Sequence, residues 1–181
     1  MCASFCTLDA ALDALKTVCD RYGEVTPILS ERLYSTDSRF GTAQSFIARA
    51  EQLCARRVLK SVTETEPIGP KALFDVLIIA PCTGNTLSKL AHGVTDSSVT
   101  MAAKAHLRNG RPLVLAVATN DGLGASAENI GRLLVRRDVY FVPFRQDDPE
   151  GKPRSLTADL SRLTDTVDAA LEGRQLQPLL V

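Results

Sequence analysis

The sequence predicts an α/β fold in which a mainly parallel sheet lies between two layers of helices. Two continuous apolar runs, over residues 74–80 and 113–118, have the length and composition of strands buried on both faces. Amphipathic helical patterns alternate with such runs and are joined to them by short loops, which is typical of a parallel sheet covered by helices. A length of 181 residues suits one domain with a sizeable core, so residues 1–181 are predicted to form a single domain.

In the first half of the chain, spacing and turn residues set the elements. Three leucines and a cysteine recur at positions i, i+4, i+7 and i+11, which indicates an amphipathic helix. A glycine ends that helix, and a proline weakens the strand after it by removing a backbone donor. The elements predicted before the first buried strand are a helix over residues 7–22, a strand over 25–29, a helix over 43–54 and a loop over 64–71.

In the second half, helix caps alternate with apolar runs. Ser, Asn or Thr stands where a helix N-terminus needs a side-chain acceptor, and Gly stands where a helix ends. The predicted elements are a short helix from Asn85 or Thr86 to near Gly93, a helix from Ser97 or Ser98 to Asn109, a strand over 113–118, a helix over 126–136, a strand over 139–142, a loop over 143–153 and a helix over 156–171. This order predicts a Rossmann- or flavodoxin-like three-layer sandwich.

The beginning of the sequence departs from that architecture. A doubly wound domain usually begins with a central strand, yet the first predicted helix starts about six residues into the chain. Two explanations are open: the first strand is truncated and reduced to residues 1–3, or the given sequence begins late.

Composition excludes several classes of function. Lys and Arg total 21 and Asp and Glu total 21, so no basic field is available for nucleic acid or an anionic membrane. No apolar run approaches the ~18 residues of a membrane span, and Asp9 and Asp13 interrupt any signal peptide. Five cysteines without a C-x-x-C pair predict free thiols in a reducing compartment and no metal site. A cytoplasmic protein is expected.

In such sheets, ligands bind outside the carboxyl ends of the strands. The turn over residues 81–86 follows a buried strand, and its Asn85 and Thr86 offer hydrogen bonds at a helix N-terminus, which favours a phosphate. A plain capped turn is the alternative. Residues 122–127 match G-x-G-x-x-A, but the glycines come late in the chain and no acid follows the next strand, so a capped turn is preferred there over a nicotinamide site.

The histidines, Cys82 and the cations in loops give weaker evidence of a functional site. His92 and His106 are interpreted as helix-surface residues, and Cys82 as a small packed residue despite its place at the ligand edge. Four cations lie in loops rather than on helix faces, and the forked guanidinium groups among them suit carboxylates, although most surface arginines are merely solvated. These cations are Arg39, Arg145, Lys152 and Arg154.

Residues 81–91 (PCTGNTLSKLA), followed by Thr95-Asp96-Ser97, resemble the P-x-[ST]-x-N-[ST] flavin-binding stretch of flavoproteins related to cysteine decarboxylases and phosphopantothenoylcysteine decarboxylase. Further stretches, in one order along nearly the whole chain, are similar to the family of dipicolinate synthase B subunits. They are SFCT (4–7), TDSRFG (36–41), EPIGPK (66–71), TNDGLG (119–124), PFRQDDP (143–149), KP (152–153) and LQP (176–178).

The resemblance implies an oxidoreductase subunit that binds FMN. Together with an A subunit that carries NADP, it would dehydrogenate a dihydrodipicolinate to dipicolinate, an aromatic dicarboxylate, in the mother-cell cytoplasm during endospore formation. Two hydrogens leave the ring, so a hydride acceptor is required. The alternatives are a flavin-dependent decarboxylase or prenyltransferase relative, and a non-catalytic partner of the A subunit. The decarboxylases' catalytic histidine has no counterpart within residues 42–57, which counts against decarboxylation.

The resemblance also implies site residues. The flavin phosphate is expected against Ser4, Asn85 and Thr86, and the ring near Cys82, Thr119 and Asn120. The full set of predicted flavin-binding residues is Ser4, Pro81, Cys82, Thr83, Asn85, Thr86, Thr119 and Asn120. For the dicarboxylate, Arg39 and Arg145 are each expected to bind one carboxylate, with Lys152 or Arg154 in reserve. No catalytic or metal-binding residue is predicted. Homo-oligomers, with a trimer as the unit, are expected from the flavin-fold relatives and from the small residues over 94–105.

Overall fold

A computed structural model describes all 181 residues and shows a five-stranded, mostly parallel sheet between helical layers. Strand β2 pairs in parallel with β1 and β3, and its end pairs antiparallel with β5, which in turn pairs antiparallel with β4. The strands are β1 Leu77–Thr83, β2 Leu113–Thr119, β3 Val139–Phe141, β4 Phe144–Arg145 and β5 Leu156–Ala158. The predicted three-layer α/β fold is confirmed.

Eight α-helices and three short 3₁₀ turns surround the sheet. The helices are α1 Leu8–Tyr22, α2 Glu31–Ser35, α3 Ala43–Cys54, α4 Val62–Thr65, α5 Gly84–His92, α6 Ser98–Leu107, α7 Ala125–Leu134 and α8 Leu163–Leu171. The 3₁₀ turns are Phe5–Thr7, Glu66–Ile68 and Leu160–Arg162. None of the helices is long and apolar enough to cross a membrane.

The two faces of β2 supply two separate cores. Leu113, Leu115 and Val117 pack with apolar residues of α5, α6 and α7, whereas Val114 and Ala116 pack with those of α1 and α8. This division follows from the two-residue period of a strand, which sends successive side chains to opposite faces. A third cluster joins α1, α2 and α3 beside the sheet.

Several helix boundaries agree closely with those predicted from the sequence. The predicted helix over 43–54 is α3, and its N-cap residue Thr42 accepts a hydrogen bond from the backbone N–H of Ser45. The predicted cap Ser97 accepts from the N–H of Thr100 at the start of α6. Gly93 ends α5 in the left-handed conformation, with a φ of 72°. Side-chain caps and left-handed glycines thus fix these ends locally.

Three predicted elements are wrong, and one predicted strand is shifted along the chain. Residues 25–29 form no strand: only an isolated bridge joins Ile28 to Leu59, because Pro27 has no N–H to donate. The predicted helix over 156–171 is helical only in α8 and in the 3₁₀ turn before it. Its first three residues are β5, in which Leu156 pairs with Thr119 at the end of β2. The predicted loop over 143–153 likewise contains β4, and β1 begins three residues later than predicted.

The first two residues lie between two other segments. The Met1 amino group donates to the Ile28 carbonyl (2.7 Å), the Ser30 N–H donates to the Met1 carbonyl (3.0 Å), and the Cys2 N–H donates to Pro81 (3.2 Å). These are the bonds that a parallel strand makes, so a short extended segment stands where the sequence predicts a reduced strand. Beside it, the free edge of β1 borders a mainly apolar cavity of about 400 Å³.

His106 is not on the surface, as the sequence predicted, but is 1% exposed on α6. Its Nε2 lies 3.0 Å from the Pro112 carbonyl oxygen, just before β2. Burial lowers the pKa of His106 below its ordinary value of 6.5, because the charged ring would lose its hydration. The folded state therefore holds the neutral imidazole.

Stability is expected to fall as the pH drops from 7 to 5. In that range the unfolded chain protonates His106 while the folded chain resists the proton, so the unfolded state binds more protons and gains free energy. Urea unfolding at several pH values measures the slope. His106→Gln keeps a donor for Pro112 and should flatten it, whereas His92→Gln, at an exposed position, should leave it unchanged. An unaltered slope in His106→Gln would show that another group is responsible.

Candidate functional site

A polar cleft lies at the carboxyl ends of β1 and β2. Both strands end in threonine, at Thr83 and Thr119, and helices α5 and α7 begin shortly after them. Because the strands are parallel, these two ends meet at one edge of the sheet. The cleft has a volume of about 470 Å³, and its lining residues, all but one polar or glycine, are Gly84, Asn85, Ser88, Thr119, Asn120, Asp121, Ala125, Ser126 and Asn129.

Asp121 organises one wall of the cleft. Its Oδ1 accepts hydrogen bonds from the hydroxyls of Thr119 (2.5 Å) and Ser126 (2.8 Å). Its backbone carbonyl accepts from the N–H groups of Gly124 (2.8 Å) and Ser126 (3.2 Å). The two hydroxyl bonds, first that of Thr119, lower the pKa of the Asp121 carboxyl below its usual range. A fixed negative charge therefore lies in the turn between β2 and α7.

Gly84 lets α5 start directly against this network. A Cβ at this position would lie 2.6 Å from the Thr119 hydroxyl oxygen, 2.9 Å from that of Ser126 and 3.2 Å from the Asp121 carboxylate. Only a residue without a side chain fits at these distances. The close approach also places the carboxylate beside the N-terminal end of the α5 dipole, which favours negative charge.

The structure divides the predicted flavin-binding residues into two groups. Asn85, Thr119 and Asn120 line the cleft. Thr86 points inward instead, and its hydroxyl lies 3.3 Å from the Cys2 sulfur and 3.2 Å from the Thr83 hydroxyl. The three predicted phosphate contacts therefore do not share one wall, because successive residues at the start of a helix face different directions.

Four more of the predicted residues lie outside the cleft lining, and one of them, Thr83, caps α5 by accepting a hydrogen bond from the Thr86 N–H. Pro81 and Cys82 are buried within β1, and Ser4 precedes the 3₁₀ turn Phe5–Thr7. Burial raises the pKa of the Cys82 thiol well above its ordinary value, so the sulfur stays protonated. This agrees with the interpretation of Cys82 as a packed residue.

Sequence reasoning gave no role to Ser88, Asp121, Ser126 or Asn129. Two of them follow from helical spacing, since Ser88 is three residues after Asn85 and Asn129 is four after Ala125, on the same helix faces. The other two depend on a turn that folds Asp121 back onto α7, and the sequence carries no clear signal for that contact.

The predicted substrate cations lie in separate segments of the chain. Arg39 stacks over the Phe40 ring, 4.8 Å from its centroid, in the turn before α3, and Arg145 lies in β4. Lys152 pairs with Asp147 at 3.4 Å. Arg154 lies closest to the cleft, because its carbonyl accepts from Leu123 and its side chain passes over Gly124. The three arginines form no salt bridge, so their charges are available to a ligand.

The sequence matches a known protein family and a protein of known name. The sequence model of the family described as Flavoprotein matches residues 29–152. The chain is 42% identical over 178 residues to the dipicolinate synthase B subunit of Bacillus subtilis, covering 98% of this chain and 89% of that protein. The chain therefore belongs to the Flavoprotein family and, within it, to the family of dipicolinate synthase B subunits.

Solved structures agree. The crystal structure of the dipicolinate synthase B subunit from Bacillus halodurans superposes with a TM-score of 0.90 at 41% identity, covering 99% of this chain and 92% of that one. Burkholderia xenovorans DmrB in complex with FMN, described as a cubic protein cage for redox transfer, matches with a TM-score of 0.68 at 16% identity, covering 94% and 92%. The second match shows the shared fold.

Replacing Gly84 by Ala is expected to destabilise the protein by about 1–3 kcal/mol, the usual cost of inserting a methyl group into a packed site. The added carbon would displace the Thr119 and Ser126 hydroxyls from Asp121. Gly131→Ala is the matched control: a Cβ added there, on α7, would meet nothing within 4 Å, so it should gain about 0.5–1 kcal/mol. Urea unfolding measures both, and equal effects would contradict the packing argument.

Proposed function

We propose that this chain is the B subunit of a dipicolinate synthase and holds FMN in the cleft between α5 and α7. The observation that carries the proposal is the cleft itself, whose amide and hydroxyl groups stand at the edge of the sheet where this fold binds ligands. Asn85, Asn120 and Asn129 offer both donors and acceptors, which suits the carbonyl and ring nitrogen atoms of a flavin. Bound flavin would supply hydride acceptance.

The fixed charge of Asp121 decides which part of the flavin this wall suits. A phosphate against the N-terminus of α5 would stand close to the carboxylate, and like charges at short range repel. The uncharged ring edge avoids that cost and would accept a hydrogen bond from the Asn85 side-chain amide. We therefore revise the expectation from the sequence and place the ring edge, rather than the phosphate, at this wall.

The reaction proposed for the complete enzyme removes two hydrogens from a dihydrodipicolinate ring to give dipicolinate, in a cell that forms endospores. The B-subunit identity of its relatives implies an A subunit as partner, for which we propose a bound NADP. Assays of dipicolinate formation by A alone, by this chain alone and by both together test the proposal. Full activity of A alone, unaffected by this chain, would favour the non-catalytic partner.

Homo-oligomerisation belongs to the same proposal. Its support is that the Burkholderia structure with the same fold is described as a cage. The small residues over 94–105 do not support the trimer expected from the sequence, because Ala102, Ala103 and Ala105 are buried in the core of the chain itself.

Asn85→Asp is expected to weaken FMN binding by at least ten-fold, about 1.4 kcal/mol. The substitution removes an amide donor and adds a second negative charge to a wall that already holds Asp121. Titration of the chain with FMN and, separately, with riboflavin measures the effect. Equal losses for both ligands support the ring edge at this wall, whereas a larger loss for FMN would return the phosphate to it. Absence of flavin binding by the unaltered chain would refute the flavin role.

The dicarboxylate substrate needs cations, because desolvated carboxylates are costly without partners. Arg145 is exposed on β4 and carries no ion pair, and Arg39 and Arg154 are in the same state. We propose that Arg39 and Arg145 each bind one carboxylate, with Arg154 or Lys152 completing the charge balance. A charge-assisted hydrogen bond of this kind contributes roughly 1.5–3 kcal/mol.

Arg145→Ala is therefore expected to raise the KM for the dihydrodipicolinate about ten-fold or more in the assembled enzyme, while FMN affinity stays unchanged. Steady-state kinetics with the A subunit measures the change. Arg137→Ala, which removes an exposed arginine from the turn after α7, serves as the matched control. A normal KM together with lost co-purification with A would show that Arg145 belongs to a subunit contact instead.

A further inference from the structure

Two thiols that take no part in the cleft touch each other between α1 and α3. Cys19 lies near the end of α1 and Cys54 is the last residue of α3, 35 positions further along the chain. Their sulfur atoms are 3.5 Å apart, which is van der Waals contact, and both are free thiols. A disulfide has an S–S distance of about 2.05 Å, so the sulfurs need to approach by only about 1.5 Å.

The end of α3 gives room for this approach. The residue after Cys54, Ala55, is in the left-handed conformation with a φ of 49°, so the helix stops at the cysteine itself. Helix ends adjust more readily than helix interiors because their last carbonyls have no partner within the helix. A small shift of Cys54 toward α1 therefore leaves the rest of α3 in place.

To form this disulfide, a thiol must be reachable by an oxidant and must contact a second sulfur. Each of the other three cysteines lacks one of these two conditions. Cys2 and Cys82 are 1% and 0% exposed, so an oxidant cannot reach them, whereas Cys6 is exposed but contacts no other sulfur. Cys19 is partly exposed and touches a second thiol. Burial raises the pKa of Cys54 to about 12 and that of Cys19 above its ordinary value, so both thiols hold little thiolate at neutral pH and react faster at alkaline pH. Cys19 is the more exposed of the two and is therefore the thiol that an oxidant meets first.

We propose that Cys19 and Cys54 are a redox modification site and form a reversible intramolecular disulfide with a small disulfide oxidant such as oxidised glutathione. The Cys19 thiolate attacks one sulfur of the oxidant, whose S–S bond breaks and releases one glutathione thiol. Cys54 then loses its proton to solvent and attacks the Cys19 sulfur, which releases the second glutathione. The protein gives up two electrons and two protons, and one oxidised glutathione becomes two thiols.

The disulfide would join the C-terminal ends of α1 and α3. It would close a stretch of chain in which the two cysteines are 35 positions apart. Constraining the unfolded chain in this way stabilises the folded state, so the melting temperature should rise by about 5–10 °C. Reduction by dithiothreitol should reverse the gain.

The test uses the full chain carrying Cys6→Ser, which removes the exposed thiol that would link molecules to one another. The protein is treated with oxidised glutathione, alkylated and cleaved with trypsin. The expected product joins the tryptic peptide over residues 17–21 to that over residues 50–56, with a mass loss of two hydrogen atoms and the rise in melting temperature.

Cys19→Ser and Cys54→Ser in the same background are the controls. Each should abolish the linked peptides and the rise in melting temperature. In Cys54→Ser, glutathione should stay bound to Cys19, because no second thiol can displace it. The Cys6→Ser chain carries the decisive measurement, so a serine variant that fails to fold does not obscure the result. Complete alkylation of both thiols after oxidation, a lasting glutathione adduct on Cys19, or a cross-link that forms only in urea would each overturn the proposal.

Discussion

The enclosure of strand β2 is the constraint on which the rest of the structure depends. Its residues from Leu113 to Val117 are each at most 1% exposed, and the strand is paired along both edges. A strand this apolar is stable only if helices cover both faces, and its two-residue period requires a separate apolar surface on each side. Helices α5, α6 and α7 supply one surface and α1 and α8 supply the other.

The same enclosure creates the cleft. Because β1 and β2 run in parallel and both must lead into helices on one face, their carboxyl ends and the first turns of α5 and α7 converge. Backbone groups at helix starts lack partners, so polar side chains gather there. At the start of α5 the Thr83 hydroxyl accepts from the Thr86 N–H, and before α7 the Asp121 carbonyl accepts from the N–H groups of Gly124 and Ser126. Gly84 allows the two turns to approach. The site is thus a consequence of how the central strand is covered.

The sequence predicts those elements whose pattern and caps lie within a few neighbouring residues. The strand over 113–118 and helix α3 carry their pattern and caps within a few residues, and both predictions are confirmed. The spacing of later leucines places Leu156 in a helix, yet it pairs with Thr119 and covers Gly122, where a Cβ would lie 2.6 Å from it. That contact joins residues more than thirty positions apart, so no local pattern could reveal it. The burial of His106 escapes prediction for a similar reason, since its partner Pro112 lies beyond the end of α6.

The distribution of charge links the cleft to the proposed reaction. A flavin phosphate and a dicarboxylate together bring several negative charges, and the wall that carries Asp121 offers them no partner. Of the unpaired arginines, Arg145 lies on β4 and Arg39 on the turn before α3, whereas Arg154 passes over Gly124 beside the cleft. A neutral ring edge at the α5–α7 wall and anionic groups at the arginines therefore satisfy both requirements without placing like charges together. On this arrangement the polar wall would orient the flavin, and the arginines would select a substrate by the spacing of its two carboxylates. In the proposed function, Asn85 therefore contacts the flavin and Arg145 contacts the dicarboxylate.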